Sequence, residues 1–227
     1  HSHTVHYTPP TSVNGNGDYD SDDYTPTAAG TYYWIASYGG DDNNDPVTGE
    51  CGDDGETVVV DLDSPSISTT ASAGVVVGND IHDTATLSGG YNPTGLITFK
   101  LYSDDECTTE VDSSTATVNG NGDYDSDDYT TTAADTYYWI ASYGGDSNND
   151  PVSGECGDAG ETVVIDKDSP TISTVASDTV VVGNNIHDTA TLAGGYNPTG
   201  TITFYLYSDN ECTNLVDSWL VDVNDGN

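Results

Sequence analysis

The feature that most constrains the fold of this chain is an internal repeat. Residues 13–122 align without a gap onto residues 118–227 at about three-quarters identity, which gives a period of 105 residues. The blocks TYYWIASYGG, NNDPV, IHDTATL and GGYNPTG recur unchanged, and so does VNGNGDYDSDDYT, at 13–25 and 118–130. A period of this length is a common size for one domain. Two nearly identical sequences must therefore satisfy one fold.

The pattern inside one repeat indicates strands and turns. Short alternating or β-branched runs are separated by Gly-, Asn- and Asp-rich turns, and no helical period is present. The runs are GVVVG (74–78), IHDTATLS (81–88), GLITFKLYS (95–103), VDSSTATV (111–118), TYYWIASY (136–143) and ETVVID (161–166). Strands at this spacing are typical of an all-β sandwich. In TYYWIASY the heavier alternate face, which is Tyr137, Trp139, Ala141 and Tyr143, is predicted to be core.

Two Pro-containing extended junctions, DLDSP (61–65) and DKDSP (166–170), mark the domain boundaries. With these boundaries, residues 63–167 form one complete domain, which we call the middle unit. Residues 1–62, the N-terminal segment, then correspond to the last strands of a domain. Residues 168–227, the C-terminal segment, correspond to its first strands. Each segment alone would leave an open sheet edge and half a core exposed, so we expect something to complete it.

The middle unit resembles a known class of repeat. The residues that carry the resemblance are SPSIST, IHDTATLSGGYNPTGLITFKLYS, VNGNGDY and TYYWIASYGGDSNNDPVSGECGDAGETVV, which cover almost the whole unit in this order. Together they resemble the immunoglobulin-like repeats of bacterial and archaeal surface proteins and adhesins. The resemblance implies tandem immunoglobulin-like β-sandwich domains in a long extracellular stalk or fibre. The chain departs from that pattern by placing Asp at basic and neutral positions.

Three ways of completing the two segments are open. The chain is a stretch of a longer repeat array, or the two segments fold together within one chain, or the C-terminal segment of one copy is completed by the N-terminal segment of the next. The third gives a head-to-tail homopolymer. The copies diverge at one shared phase, where VDSWLVDV (216–223) is more apolar than VDSSTATV (111–118). This favours the third way, with Trp219, Val221 and Val223 at the subunit interface.

The four cysteines fit the same argument from phase. Cys107 and Cys156 both lie in the middle unit, and their pairing would stabilise the fold by about 4 kcal/mol in the chain-entropy description. Cys212 has its phase partner at Cys51, near the opposite end of the chain. We therefore expect Cys212 to pair with Cys51 of the next subunit. The alternative pairs, Cys51–Cys107 and Cys156–Cys212, would cross the domain boundaries. Paired cysteines are typical of an oxidising compartment.

Charge narrows the range of partners. The chain has 39 Asp and Glu against two Lys and Arg, which gives a formal net charge of −37. It therefore has almost nothing with which to neutralise the phosphates of a nucleic acid. Cations relieve such self-repulsion, and calcium is the expected ligand because carboxylate oxygens are its preferred partners. The sequence contains no apolar run of 18 residues that could span a membrane.

Two groups of aspartates are candidate calcium ligands. Alternating acids in the repeated VNGNGDYDSDDYT stretch can converge on one hard cation if the stretch is a loop. If it is a strand, alternation places them on one solvated face. Acids at the domain junctions could instead bridge neighbouring domains. The loop candidates are Asp18, Asp20, Asp22, Asp123, Asp125 and Asp127, and the junction candidates are Asp61, Asp63, Asp166 and Asp168.

These features predict a structural protein outside the cell. The first hypothesis is a subunit of an extracellular fibre or cell-surface stalk, stabilised by disulfides and calcium. The alternative is an adhesin module that binds carbohydrate or a partner protein through the Tyr-rich loops GGYNPTG and SYGGD. An enzyme is not expected, because no nucleophile motif such as G-x-S-x-G occurs.

Overall fold

The computed structural model describes residues 12–223, and residues 1–11 and 224–227 lie outside that range. The described residues form strands, turns and loops without a helix, so the all-β class expected from the sequence is confirmed. Consequently none of residues 12–223 belongs to a helix that could cross a membrane.

The middle unit contains two main antiparallel sheets. In one, β7 lies between β5 and β10; in the other, β8 lies between β9 and β12, and β13 and β14 both pair with β12. A short separate ladder joins β6 to β11. The strands are β5 (Ser66–Ala71), β6 (Asp80–Ile81), β7 (Asp83–Ser88), β8 (Thr94–Tyr102), β9 (Glu110–Asn119), β10 (Gly122–Asp125), β11 (Tyr129–Thr130), β12 (Thr136–Tyr143), β13 (Val152–Ser153) and β14 (Thr162–Val164).

Alternate residues of both sheets form one buried cluster. The predicted face of β12 is confirmed, because Tyr137, Trp139, Ala141 and Tyr143 are all buried. Alternation places successive side chains on opposite faces, so the residues between them face outward. Burial of each large apolar side chain contributes about 1.5–3 kcal/mol. The remaining members of the cluster are Ile81, Ala85, Leu87, Ile97, Phe99, Leu101, Val118, Val163 and Ile165.

Two isolated parallel bridges tie the ends of the middle unit to its body. One pairs Val76 with Asp166, and the other pairs Asp63 with Asn149. The amide of Asp166 donates to the carbonyl of Val75 at 2.9 Å, and that of Asp150 donates to the carbonyl of Asp63, also at 2.9 Å. The backbones of the junction residues therefore belong to the fold of the middle unit.

In the described parts of the two terminal segments, residues 12–62 and 168–223, the only ladders join strands that are close in sequence. β1 pairs with β4, β2 with β3, β15 with β16, and β17 with β18. The strands are β1 (Gly30–Tyr33), β2 (Ser37–Tyr38), β3 (Val47–Thr48), β4 (Thr57–Val60), β15 (Thr171–Ala176), β16 (Asp188–Ala193), β17 (Gly200–Tyr207) and β18 (Leu215–Val223). The strands at the same repeat positions in the middle unit pair in the same way. In the order given above, the equivalent ladders are β12–β14, β12–β13, β5–β7 and β8–β9.

Three ladders of the middle unit have no counterpart in the described parts of the terminal segments. They are β8–β12, β7–β10 and β6–β11, which join residues 80–102 to residues 122–143. We call these three ladders the seam. One side of the seam corresponds to the C-terminal segment and the other to the N-terminal segment. A segment that holds one side only cannot form the seam by itself.

Two tryptophans at one repeat position provide a matched test of where the core lies. Trp139 is fully buried, whereas Trp34, one period earlier, is 44% exposed. We expect Trp139→Ala to lower the free energy of unfolding by about 3–5 kcal/mol, because it leaves a cavity. In dilute protein, Trp34→Ala should cost less than about 1 kcal/mol. Chemical denaturation followed by circular dichroism measures both. Equal losses would contradict a core confined to the middle unit.

Candidate functional site

The terminal segments expose side chains whose repeat counterparts are buried. Val58 is 46% exposed where Val163 is 1% exposed, and Ile186 is 56% exposed where Ile81 is fully buried. The sequence at these positions is nearly unchanged, so the difference comes from the missing opposite sheet. Exposed apolar sheet faces of this kind mark interaction surfaces.

The N-terminal segment nevertheless keeps the local backbone geometry of the middle unit. The amide of Trp34 donates to the carbonyl of Glu56 at 2.8 Å, and that of Trp139 donates to the carbonyl of Glu161 at 2.9 Å. The β1–β4 and β2–β3 ladders join strands that are close in sequence, so each forms without the rest of the domain. The backbone around Trp34 thus matches that around Trp139, although residues 34–36 lie outside any strand, between β1 and β2.

The C-terminal segment presents an open strand edge. In the middle unit β8 pairs with β9 on one side and with β12 on the other, whereas within residues 12–223 β17 pairs with β18 alone. The free edge of β17 carries unpaired backbone donors and acceptors, which are a template for another strand. In the β8–β12 ladder, Trp139 lies opposite Leu101. The equivalent residues are Trp34 and Leu206, one in each terminal segment.

The predicted interface residues lie together on one face of β18. Trp219, Val221 and Val223 occupy the positions of Ser114, Ala116 and Val118 on β9, which face the interior of the middle unit. Trp219 is 49% exposed. Ser114 accepts a hydrogen bond from the amide of Asp127 at 3.1 Å, a contact that an indole cannot reproduce. The C-terminal segment therefore offers a larger apolar surface at this edge than the middle unit does.

The structure contains the disulfide expected within the middle unit. Cys107 and Cys156 are bonded with a Cα–Cα distance of 5.9 Å, so the alternative pairs across the domain boundaries are not formed. The bond connects the loop after β8 with the loop before β14, and these loops lie on opposite sides of the seam. Cys51 and Cys212 are exposed and unpaired in the described chain.

The loops around the two unpaired cysteines have the geometry of the bonded loops. Cys107 and Cys212 both have a positive φ, 50° and 53°. Such a backbone is uncommon for a residue other than glycine. An aspartate caps each of these loops: Asp104 accepts from the amide of Thr109, and Asp209 accepts from that of Asn214, both at 2.6 Å. The loop at Cys212 therefore has the same local conformation as the loop at Cys107.

The loop at Cys51 is preformed in the same way. Asp53 accepts a hydrogen bond from the amide of Glu50 at 3.0 Å, and Asp158 accepts one from the amide of Glu155 at 2.9 Å. The loops at Cys51 and Cys212 therefore match the loops at Cys156 and Cys107 in these local hydrogen bonds.

The second copy of VNGNGDYDSDDYT is partly a strand, so the strand alternative for its acids holds there. Asp123 and Asp125 lie on β10 and accept hydrogen bonds at 2.7 Å from the hydroxyls of Thr86 and Thr84 on β7. Asp127 follows the strand and is exposed. The acids therefore face solvent along a sheet edge rather than converging on one point.

The other candidate ligands are also dispersed. Asp18, Asp20 and Asp22 are exposed and outside any strand, since the counterpart of their partner strand lies in the C-terminal segment. Asp61, Asp63, Asp166 and Asp168 are exposed or half-buried at the two junctions. Within the described range, no three His, Cys, Asp or Glu side chains come together in a way that could hold a metal ion.

The buried side-chain amide of Asn149 helps to anchor the Tyr-rich loop GGYNPTG. The amide of Tyr91 donates to the side-chain oxygen of Asn149 at 2.7 Å, and the side-chain nitrogen of Asn149 donates to the carbonyl of Tyr91 at 3.1 Å. The nearby Gly145 has a φ of 75°, and an added Cβ would lie 2.8 Å from the carbonyl oxygen of Asn149. Only glycine fits this close approach. The Tyr91 side chain itself remains exposed.

Two buried carboxyl groups form a feature that the sequence did not single out. Asp83, at the start of β7, is fully buried, and Glu161, just before β14, is 2% exposed. They belong to opposite sheets. Neither carboxylate oxygen of Asp83 and only one of Glu161 has a hydrogen-bond partner; the hydroxyl of Thr69 donates to Glu161. Their signal was present in the alternation, because Asp83 shares a phase with Ala85 and Leu87, and Glu161 shares one with Val163.

Burial makes both acids hold their protons more tightly. Removal from water raises the pKa of Asp83 to about 6 and that of Glu161 to about 7, and the charge of Asp83 adds to the effect on Glu161. An unpaired ionised carboxylate is costly inside a protein, whereas the neutral acid is tolerated. The folded chain therefore favours the protonated form of both acids.

Models of known protein families, curated proteins and solved structures give no match to this chain.

The raised pKa values predict a pH-dependent stability. The folded state binds protons more tightly than the unfolded state, whose acids titrate near pH 4. The contribution of these groups is therefore most favourable below about pH 4 and is lost as the pH rises to about 7. Glu161→Gln cannot ionise and should be about 1–3 kcal/mol more stable than the parent at pH 8, but not at pH 4.

Thermal and urea unfolding at pH 4, 6 and 8 measure this difference. Glu155→Gln is the matched control, because Glu155 is exposed and carries the same charge in the same loop. If both substitutions change stability equally at pH 8, general charge repulsion explains the effect and the buried pair does not.

Proposed function

We propose that this chain is a structural subunit of an extracellular fibre or cell-surface stalk built from immunoglobulin-like β-sandwich domains. The C-terminal segment of one copy and the N-terminal segment of the next together form one further domain of the kind found in the middle unit. One observation carries this proposal. Both terminal segments expose residues whose equivalents in the middle unit are buried. Each segment also contains the strands that the other lacks.

The register of the joined domain follows from the repeat. In the middle unit Trp139 pairs with Leu101, Ala141 with Phe99 and Tyr143 with Ile97. The same ladder between two copies places Trp34 opposite Leu206, Ala36 opposite Phe204 and Tyr38 opposite Ile202. It removes the exposed faces of both segments from water and pairs the free edge of β17.

Such a contact is heterologous and does not close on itself. The surface used on the first copy differs from that used on the second, so each added subunit exposes a new site for the next. Within the described residues, the ladders of the N-terminal segment and those of the C-terminal segment remain separate. In a longer chain, flanking repeats of the same polypeptide would complete the two segments instead. Whether the present chain assembles by itself distinguishes this alternative from head-to-tail assembly.

Adjacent residues on β4 give a matched test of assembly. Val58 is equivalent to the buried Val163, whereas Val59 is equivalent to the exposed Val164. In the single chain both valines are exposed, so Val58→Asp and Val59→Asp should fold equally well. We expect Val58→Asp to prevent assembly and Val59→Asp to permit it, because only the first would bury an unpaired charge.

Sedimentation and electron microscopy of the purified chain at rising concentration measure this outcome. The parent protein should form linear filaments in which the subunits follow one another in a single row. Persistent monomer in the parent, or equal assembly by both variants, would overturn head-to-tail completion.

We further propose that Cys212 of one subunit bonds to Cys51 of the next. In a joined domain with the geometry of the middle unit, Cys212 would take the position of Cys107, and Cys51 would take that of Cys156. The Cα atoms of Cys107 and Cys156 are 5.9 Å apart. Two thiols lose two protons and two electrons in this step, so an oxidant such as dioxygen or a small-molecule disulfide is required. Disulfides persist outside the cell, which supports an extracellular site of action.

A non-reducing gel tests the covalent link. The parent protein, oxidised after assembly, should give a ladder of oligomers that collapses to monomer with reductant. Cys212→Ser should give monomer in both lanes, although its non-covalent filaments should persist. A ladder that survives in Cys212→Ser would show that other cysteines form the links.

Calcium is proposed as the cation that offsets the charge of −37. The support is electrostatic: subunits with this charge repel one another, and divalent cations reduce that repulsion most efficiently. No ligand set is assigned among the described residues. A melting temperature that is unchanged by a calcium chelator would exclude a stabilising role.

A further inference from the structure

The buried pair of Asp83 and Glu161 lies across the seam. Asp83 belongs to the side that corresponds to the C-terminal segment, and Glu161 belongs to the side that corresponds to the N-terminal segment. The two acids are buried and incompletely hydrogen-bonded. Asp83 begins β7, and Glu161 directly precedes β14 of the other sheet. Packing of the two sides against each other is therefore what removes both carboxyl groups from water; Glu161 is covered by β5, through Thr69.

The groups around the pair offer little compensation for a negative charge. The backbone amides of Thr84 and Thr70 and the imidazole of His82 oppose the rise in the pKa of Asp83, but burial outweighs them. The carboxylates of Asp125, near Asp83, and of Asp158, near Glu161, add to the rise. His82 is itself directed toward Asp128, with 3.6 Å between Nδ1 and the carboxylate oxygen. Thr69 supplies the one neutral donor to Glu161. No lysine or arginine is among these neighbours.

The same pair is encoded at the subunit junction. One period away, Glu161 corresponds to Glu56 in the N-terminal segment, and Asp83 corresponds to Asp188 in the C-terminal segment. The neighbours are equally retained, as His187, Asp20, Asp53 and Thr174. In the single chain Asp188 is exposed and Glu56 is only half-buried, so water still solvates the two groups.

We propose that each junction between two copies is a proton-binding site, built from Glu56 of one copy and Asp188 of the next. This inference rests on the proposed head-to-tail assembly. The ligand is the proton, taken from solvent, and it binds because a neutral carboxyl pair fits the dry interior while two carboxylates do not. Association of subunits therefore takes up protons, and mild acidification favours the polymer.

Linkage fixes the sign and size of the effect. The associated state holds protons that a solvated carboxyl group has already released at neutral pH, so the association constant rises as the pH falls from about 7.5 to 5. Each proton taken up contributes about a tenfold change in the association constant per pH unit over the range in which it is released. The general decline of surface charge adds a pH dependence of its own, so a matched control is needed.

The experiment compares Glu56→Gln and Asp188→Asn with Glu50→Gln, an exposed acid in the same loop as Glu56. All carry Cys51→Ser and Cys212→Ser, so that association stays reversible. Sedimentation equilibrium at constant ionic strength gives the association constant between pH 7.5 and 5. Calorimetry in two buffers with different ionisation heats counts the protons taken up.

We expect Glu56→Gln and Asp188→Asn to associate more tightly than the parent at pH 7.5 and to lose about one proton from the pH slope. Glu50→Gln should keep the slope of the parent. If Glu56→Gln also keeps that slope and its proton uptake, the junction is not a proton site, although head-to-tail assembly stands. If no protein associates at any pH, the proposed assembly fails and the proton site fails with it.

Discussion

Two facing sheets must share one set of buried side chains for this sequence to be stable, and the rest of the structure depends on that packing. Trp139 and Tyr143 on one sheet and Ala85 and Leu87 on the other are buried only because both sheets are present. The sheets are joined within the middle unit by ladders between strands that are distant in sequence. Where those ladders are absent, as in residues 12–62 and 168–223, the same residue types remain exposed.

Three different interactions connect the two sides of the seam. The seam holds the central ladder of the core, it is crossed by the Cys107–Cys156 disulfide, and it encloses the carboxyl pair of Asp83 and Glu161. Each of these has one partner on either side. A domain assembled from two copies would reproduce all three between different molecules. Hydrophobic burial would then drive association, the disulfide would make it permanent, and the acid pair would make it sensitive to pH.

The repeat and its phase could be read directly from the residues. Alternation in TYYWIASY identified the buried face of β12 because strand periodicity is a local property. The position of Cys107 relative to Cys156 likewise followed from the boundary of the middle unit. The aspartates behaved differently. Whether Asp123 and Asp125 formed a loop site or a strand face depended on whether β7 lay beside them, and a sequence pattern contains no such distance. The burial of Asp83 and Glu161 was not predicted, because acidic side chains are ordinarily solvated.

By itself, then, the sequence determined the all-β class, the 105-residue period, the inward phase of the central strand and the cysteine pairing within the middle unit. These features follow from local periodicity and from repetition, which are properties of the chain alone. Only the tertiary structure decided which copies of the repeated residues are covered and which are exposed, and that two acids are buried in the core. Burial depends on what lies opposite a strand, and that is set by contacts between residues far apart in the chain.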